Sequence, residues 1–442
     1  MEDRTHPETV SQRRILVFWL PLAATWLMMA IEGPFLAAII ARLADPKFNL
    51  AAHGVAFAFA IIIESPVIMI MSAATALAED GPNFRRLRRF TYLLNFAITA
   101  FQLILLATPL FDWVARDLMN LPPEVEHLTR VALWILLPWP GAIGYRRLYQ
   151  GLLIRSGMTR RVAYGTVVRL STMALTALLL YRSGRVPGAW VGAGALAAGV
   201  CMEALASRWM ARSALRDLRE PESSLRTLSY RSIGRFYAPL AMTSTISLAA
   251  YPVVTFFMGH APHSLESLAV LPVVNSLSFI FRSPALAYHD AMIALLGEGW
   301  HNLVPLRRFA IGLGVLVSAG MSAIAFTPLS RIWFGVLSGL QPGLTHFALD
   351  PTRILSILPA LSVLLAVQRA ILVYGRRTDP ITWATALELG GIAGVLWAVI
   401  TFTDLPGATA AALAYLGGRF LSNLMLIAPV VRLVQSGGDH RA

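Results

Sequence analysis

The 442-residue sequence holds one cysteine, Cys201, and one lysine, Lys47, and only 14% of its residues are charged. A lone cysteine inside an apolar run excludes a disulfide framework and a thiolate metal cluster, and leaves packing as its role. A soluble domain carries about a quarter charged residues, so the shortage of charge beside 56% hydrophobic residues calls for a non-aqueous solvent. The stretch Gly188-Ala189-Trp190-Val191-Gly192-Ala193-Gly194 is followed by no Gly-Lys-Ser/Thr and flanked by no strand. It is therefore no phosphate loop and reads as close helix packing. ATP hydrolysis by this chain lacks support, and the scattered single ionisable residues offer no catalytic acid-base pair, no metal site and no cofactor motif. An enzyme is not expected.

Apolar stretches of roughly twenty or more residues recur along the chain, each long enough to cross about 30 Å of hydrocarbon as a helix. Helices are expected because backbone groups in lipid must be satisfied within each segment. Spans are expected near 14–42, 51–77, 90–110, 127–154, 161–181, 187–214, 233–258, 265–296, 308–328, 351–374, 380–402 and 406–432. The fold class is therefore all-α and polytopic, with about twelve transmembrane helices. The first apolar run follows the polar residues 1–13 and is too long for a signal-peptide core, so it reads as the first span.

Charge placement says more than the net charge of +13. Twenty-three of the 37 basic residues fall in the termini and in every second loop, among them Arg13, Arg14, Arg85, Arg86, Arg88, Arg89, Arg155, Arg160, Arg161, Arg307, Arg308, Arg376 and Arg377. This positive-inside alternation puts both termini in the cytoplasm. A nucleic-acid surface would not be divided among alternate loops, whereas anionic lipid headgroups suit this arrangement. One lysine against 36 arginines points to a GC-rich, bacterial genome and so to the inner membrane.

The sequence repeats itself at an offset of 218 or 219 residues. Phe18-Trp19-Leu20-Pro21-Leu22-Ala23 returns as Phe236-Tyr237-Ala238-Pro239-Leu240-Ala241, and Pro34 returns as Pro252. Ser65-Pro66 matches Ser283-Pro284, and Leu87-Arg88-Arg89-Phe90 matches Leu306-Arg307-Arg308-Phe309. Thr108-Pro109-Leu110 pairs with Thr327-Pro328-Leu329, and Val186-Pro187-Gly188-Ala189 with Leu405-Pro406-Gly407-Ala408. With an even number of spans in each half, the repeats are parallel, related by an axis along the membrane normal. The expected organisation is a tail at 1–13, one lobe at 14–214, a charged linker at 215–232 with helical character, a second lobe at 233–432, and a tail at 433–442.

Ionisable groups within spans are costly and become candidates by default. Glu32 precedes Gly33-Pro34, where a kink frees carbonyls, so it either binds a proton or cation or tethers a neighbouring helix. Glu64 and Arg282 precede the paired Ser-Pro landmarks and either pair across the lobes or face separate surfaces. Arg282, Arg369, Arg147 and Arg146 argue for anionic cargo, because a guanidinium stays charged and its planar fork fits carboxylate or phosphate. Snorkelling is the alternative, and it applies best to Arg146. His289 and Asp290 form a possible proton relay, although neighbours on a helix point about 100° apart and are not expected to touch. His53 is expected at the outer interface. Glu388 and Arg419 lie in adjacent spans and read as a structural ion pair, with Glu203 and Arg169 as further structural candidates. Asn275 and Tyr251 either read substrate in the second lobe or bond other helices.

The two halves and their landmark order resemble the multidrug/oligosaccharidyl-lipid/polysaccharide (MOP) superfamily, which holds the multidrug and toxic compound extrusion (MATE) transporters, the polysaccharide and lipid II flippases and the progressive ankylosis protein. The likeness covers roughly residues 14–432. It is nearest to the progressive ankylosis type through Pro21-Leu22 with Glu32, His53-Gly54-Val55-Ala56 before Pro66, and Pro239 with Pro252. Where the drug-extrusion branch carries an acid deeper in the first span, this chain has Leu36. The resemblance implies two bundles around a V-shaped central cavity, alternating access, and export of an organic anion such as citrate or a phosphate-bearing metabolite. Energy would come from H+ or Na+ coupling or the cargo's own gradient, and the expected state is a monomer. Multidrug export or flipping of a lipid-linked sugar is the alternative, and a membrane enzyme acting on lipid a third.

Overall fold

The computed structural model describes residues 10–218, 228–297 and 300–439. All regular structure among them is helical. The long helices are α1 (Gln12–Ile40), α2 (Pro46–Leu77), α3 (Gly81–Ala107), α4 (Pro123–Ile135 with Trp139–Arg155), α5 (Thr159–Ser183), α6 (Gly188–Met210), α7 (Tyr230–Met258), α8 (Ser264–Leu295), α9 (Leu303–Phe326), α10 (Pro342–Tyr374), α11 (Asp379–Phe402) and α12 (Gly407–Asp439). Among the described residues, 11 helices are long and apolar enough to cross a membrane. The twelfth, α4, is as long as its repeat partner α10. It breaks at Leu136–Pro138 and carries Glu124, Glu126, Arg130, Arg146 and Arg147, which dilute its apolar character.

The repeat is visible in the local breaks. Both α1 and α7 run through an internal proline, Pro21 and Pro239, and interrupt one turn before the second, at Ile31 and Ala249. Both Thr-Pro-Leu landmarks end a helix in the same way. Thr108 Oγ1 donates to Ile104 O at 2.8 Å and Thr327 Oγ1 to Ala323 O at 2.6 Å, after which the chain enters a π-helical turn, Trp113–Leu118 or Ile332–Leu337.

Contacts divide the chain into two compact units. The amino-terminal unit takes Phe35–Pro272 and Ser338–Leu344; the carboxy-terminal unit takes residues up to Pro34, Val273–Leu337 and those from Thr345 onward. These borders differ from the expected lobes at 14–214 and 233–432, because each unit contains most of the first helix of the other sequence half. Three landmarks explain the exchange. In the carboxy-terminal unit Trp19 of α1 donates its indole N–H to Pro284 O at 3.2 Å and meets Phe309 edge-on at 5.6 Å. In the amino-terminal unit Tyr237 of α7 donates to Pro66 O and meets Phe90 edge-on at 5.5 Å. Each proline deprives the carbonyl four residues earlier of its donor, and Ser65 and Ser283 Oγ supply one to Ile62 O and Ile280 O at 2.8 and 3.0 Å; the aromatic polar tip uses the proline's own carbonyl as acceptor while its body packs. Ser244 adds a hydrogen bond to Ser65 O at 2.7 Å.

Glycine positions bring the helices close where the Gly-rich stretch of α6 predicts it. A Cβ on Gly188 would lie 2.9 Å from Ile40, and one on Gly192 would lie 2.7 Å from the His53 ring. His53 is therefore buried in that seam, stacked on Phe57, and not an interfacial group as expected. The carboxy-terminal core gathers Ile15, Tyr288, Met292, Leu306 and Ile371, and Leu433 and Val434 pack on it. The last helix thus continues past 432 instead of ending in a tail, because those side chains are apolar. The tail at 1–9, the centre of the linker at 219–227 with its expected helical character, and residues 440–442 lie outside the described residues.

Candidate functional site

A cavity of about 260 Å³ opens within the carboxy-terminal unit, and it concentrates three guanidiniums. Its cationic lining is Arg282 from α8, Arg369 from α10 and Arg419 from α12; Trp26 of α1, Phe279, Leu286 and Leu365 supply apolar walls. His289 and Asp290 also line it. Two of the three arginines were expected as substrate ligands, and the structure brings them together.

The three cations are not equivalent. Arg419 Nε and Nη2 each lie 2.8 Å from Glu388 Oε1, and Arg419 Nη1 donates to Ser362 Oγ at 3.3 Å. The expected ion pair between α11 and α12 is therefore present, and it neutralises one guanidinium. Arg369 Nη2 donates to Thr385 Oγ1 at 3.0 Å, while its buried Nε has no acceptor among the described residues. Arg282 lies over the Phe279 ring at 6.0 Å, a cation–π contact. Within this unit neither Arg282 nor Arg369 has a carboxylate at ion-pair distance among the described residues. Two uncompensated guanidiniums in an apolar-walled cavity are suited to a carboxylate or phosphate, which Arg can grip with two parallel N–H donors.

His289 and Asp290 are in contact, contrary to expectation: Nδ1 and Oδ1 lie 3.0 Å apart. Their Cα–Cβ bonds diverge, but both side chains are exposed enough to rotate toward each other, Asp290 being 58% exposed. Tyr288 beside them turns into the core and donates to Leu306 O at 2.6 Å.

The amino-terminal unit holds a second charge cluster of different character. Glu203, 1% exposed, accepts from Arg146 through one oxygen and from Gln150 at 3.0 Å through the other, with Arg169 Nε at 3.5 Å. Of the two readings of Arg146, a substrate-facing cation or a snorkelling one, neither describes its place: it is buried with Glu203 opposite it in the helix seam. Glu64 accepts from the Trp139 indole, which the break in α4 places opposite it. Arg147 contacts Met71 Sδ at 3.6 Å, and its buried Nε, like that of Arg369, has no acceptor among the described residues; neither Arg147 nor Glu64 lines the cavity of Arg282 and Arg369. Glu203 is thus the shared acceptor of this cluster, with two guanidiniums and an amide around its two oxygens.

The remaining candidates lie elsewhere. Tyr251 is buried in the amino-terminal unit, edge-on to Phe57 at 6.0 Å and beside Gly54, so it packs on α2 instead of facing the arginines. Asn275 is half-buried and does not line the cavity. Glu32, half-buried, opens the segment Glu32–Ile40 just past the break at Ile31. The adjoining Gly33 permits a close approach, since a Cβ there would lie 2.9 Å from Ser276. Arg419, Ser362 and Trp26 are among the lining residues that the sequence did not mark as a site. The spacing of Glu388 and Arg419 signalled their pairing but not the cavity beside it. Among the described residues no group of three or more His, Cys, Asp or Glu is placed to hold a metal.

No family model matches the sequence, and no curated protein matches it. Solved structures do. The chain is similar to an inward-facing multidrug resistance MATE family transporter of the MOP superfamily, with a TM-score of 0.76 at 13% identity over 96% of this chain and 99% of that one. An outward-facing structure described in the same terms matches with a TM-score of 0.64 at 14% identity, over 97% of each chain. A MOP superfamily transporter from Pyrococcus furiosus, described as having a binding pocket of reverse polarity that suggests a different function, matches at 0.66 and 15% over 97% of each. At these identities the likeness establishes architecture, and this all-α polytopic chain has the fold of the MATE-type structures of the MOP superfamily.

Proposed function

We propose that this chain is a secondary transporter that exports a small organic anion by alternating access. One observation carries the anion reading: Arg282, Arg369 and Arg419 converge on one cavity whose lining includes one carboxylate, Asp290, turned to His289, while Glu388 beside it pairs with Arg419. At about 260 Å³ the cavity suits a small acid or phosphate ester better than a drug-sized molecule, for which pockets run ~300–1,000 Å³. Arg282 and Arg369 bind the anion, with the Arg419–Glu388 pair held beside them. The His289–Asp290 pair at the cavity supplies a protonatable element for H+ coupling, with Glu32 and Glu64 as further coupling candidates and Na+ as the alternative ion. The likeness to the progressive ankylosis type rests on Pro21, Glu32, His53-Gly54, Pro66, Pro239 and Pro252, and favours citrate or a phosphate-bearing metabolite. The setting is a bacterial inner membrane, with a monomeric chain and both termini in the cytoplasm, as the arginine distribution supports.

Multidrug export is the second reading, favoured by the descriptions of the MATE structures that share the fold. Counter-flow in proteoliposomes separates the two. Labelled citrate or a phosphate ester should exchange, and Arg282→Ala or Arg369→Ala should abolish exchange. Movement of a cationic dye alone, unchanged in both variants, would establish the second reading.

A further inference from the structure

At the arginine-rich end of α5 and α6 the amino-terminal unit contains a second basic cavity, of about 450 Å³, outside either charge cluster described above. Arg161, Arg212 and Arg216 surround it, with Tyr164, Trp209, Met210 and Ser213. Arg161 is fixed at its base: Nη1 donates to Met210 O and to Ser213 Oγ, both at 2.6 Å. Met210 ends α6, where the helix dipole favours a cation. Arg212 and Arg216 lie one turn apart on the short helix Arg212–Arg216, an i,i+4 pair of like charge that is unfavourable by itself. Among the described residues no carboxylate lies at ion-pair distance from any of the three.

Two further observations identify what would neutralise them. Tyr164 and Trp209 are 60% and 64% exposed, on helices long and apolar enough to span a membrane; Tyr164 is near the amino end of α5 and Trp209 near the carboxy end of α6, the two ends that Arg161 joins. Amphipathic aromatics at that level belong to the headgroup belt. The second half lacks the arrangement: at an offset of 219, Arg161, Arg212 and Arg216 become Pro380, Val431 and Gln435, and Trp209 becomes Ala428. The basic cavity is thus a property of these residues and not of the fold.

We infer that this cavity binds the phosphodiester headgroup of an anionic phospholipid, with the guanidiniums on the phosphate and the two rings against the glycerol and upper acyl chains. A soluble phosphate would use the guanidiniums alone and gain nothing from two exposed aromatics, so the lipid is the source of the anion. Native mass spectrometry of the full chain released from nanodiscs of mixed phosphatidylglycerol and phosphatidylcholine tests this. Phosphatidylglycerol should be retained preferentially. Arg212→Ala with Arg216→Ala should lower that preference by roughly fivefold per arginine removed. The pair Arg212→Lys and Arg216→Lys should keep most of it, and Arg376→Ala with Arg377→Ala should leave it unchanged. Both altered positions are exposed, and unchanged melting of the variants would exclude a folding defect. Equal retention of the two lipids, or an equal loss in the Arg376 and Arg377 variant, would overturn the inference. Full displacement of the lipid by glycerol 3-phosphate would assign the cavity to a soluble anion instead.

Discussion

The two buried charge clusters occupy corresponding places in the repeat and have opposite designs. Arg169 and Glu388 are equivalent at an offset of 219, so the ion pair between the fifth and sixth helices of one half, Arg169 with Glu203, returns with its polarity reversed as Glu388 with Arg419. Glu64 and Arg282 are reversed in the same way at an offset of 218. The consequence lies in how each carboxylate is shared. Glu203 holds two guanidiniums and an amide and closes its cluster, whereas Glu388 holds only Arg419 and leaves Arg282 and Arg369 facing a cavity. A duplicated bundle can thus hold related charge clusters in two forms, one gathered around a buried shared carboxylate and one with cations lining a cavity.

Removing the carboxylate from each cluster should break the comparison most visibly. Glu203→Ala leaves Arg146 and Arg169 buried without their partner and should cost about 3–5 kcal/mol of stability, read as a large fall in the melting temperature of the purified protein. Glu388→Ala should cost less than half as much, because Arg419 can be hydrated from the cavity. Equal losses would show that both clusters are structural. On the ligand side, Arg369→Ala should weaken anion binding by roughly 10- to 100-fold, the strength of a hydrogen bond to a charged group. Arg147→Ala, in the fourth helix of the other half, should leave affinity within about twofold by the same reasoning, a contrast that isothermal titration with citrate or a phosphate ester would measure.

The repeat also trades size between facing positions. Asn95 on α3 fills the space left by Gly144 on α4, whereas their counterparts at an offset of 219 are Gly314 and Val363. A Cβ on Gly144 would collide with the Asn95 amide, but one on Gly314 would meet Ala360 at an ordinary 3.7 Å. Gly144→Ala should therefore destabilise by about 1–3 kcal/mol through overpacking, and Gly314→Ala should be close to neutral; denaturant-dependent unfolding of both variants would rank them. The smallest effect is expected where the halves agree. Trp19→Phe and Tyr237→Phe each remove one hydrogen bond to a proline carbonyl and keep the ring, for about 1 kcal/mol apiece. Matched losses in thermal melts would support the equivalence of the two exchanged helices, and a loss in one alone would break it.

Much of the site's inventory could be read from the chain, and little of its grouping. Arg282 and Arg369 stand out because a cation inside an apolar run is costly enough to need a reason. Glu388 and Arg419 could be paired because consecutive helices of a repeat are neighbours. Arg146 stays open between a substrate-facing and a snorkelling side chain in the sequence, and only the facing Glu203, 57 positions away, shows that it is buried. Tyr251 was assigned to the second half by sequence order, yet it packs on Gly54 and Phe57 of the first.

By itself the sequence determined the class of solvent, the helical form, the near-dozen spans, the duplication and the kink positions, since hydropathy, proline chemistry and self-similarity act along the chain. Only the tertiary structure decided that each unit takes most of the first helix of the opposite half, which arginines share a cavity, and which carboxylates are shared between cations. Those outcomes depend on side chains far apart in sequence competing for the same partners, and that competition is settled by packing in three dimensions.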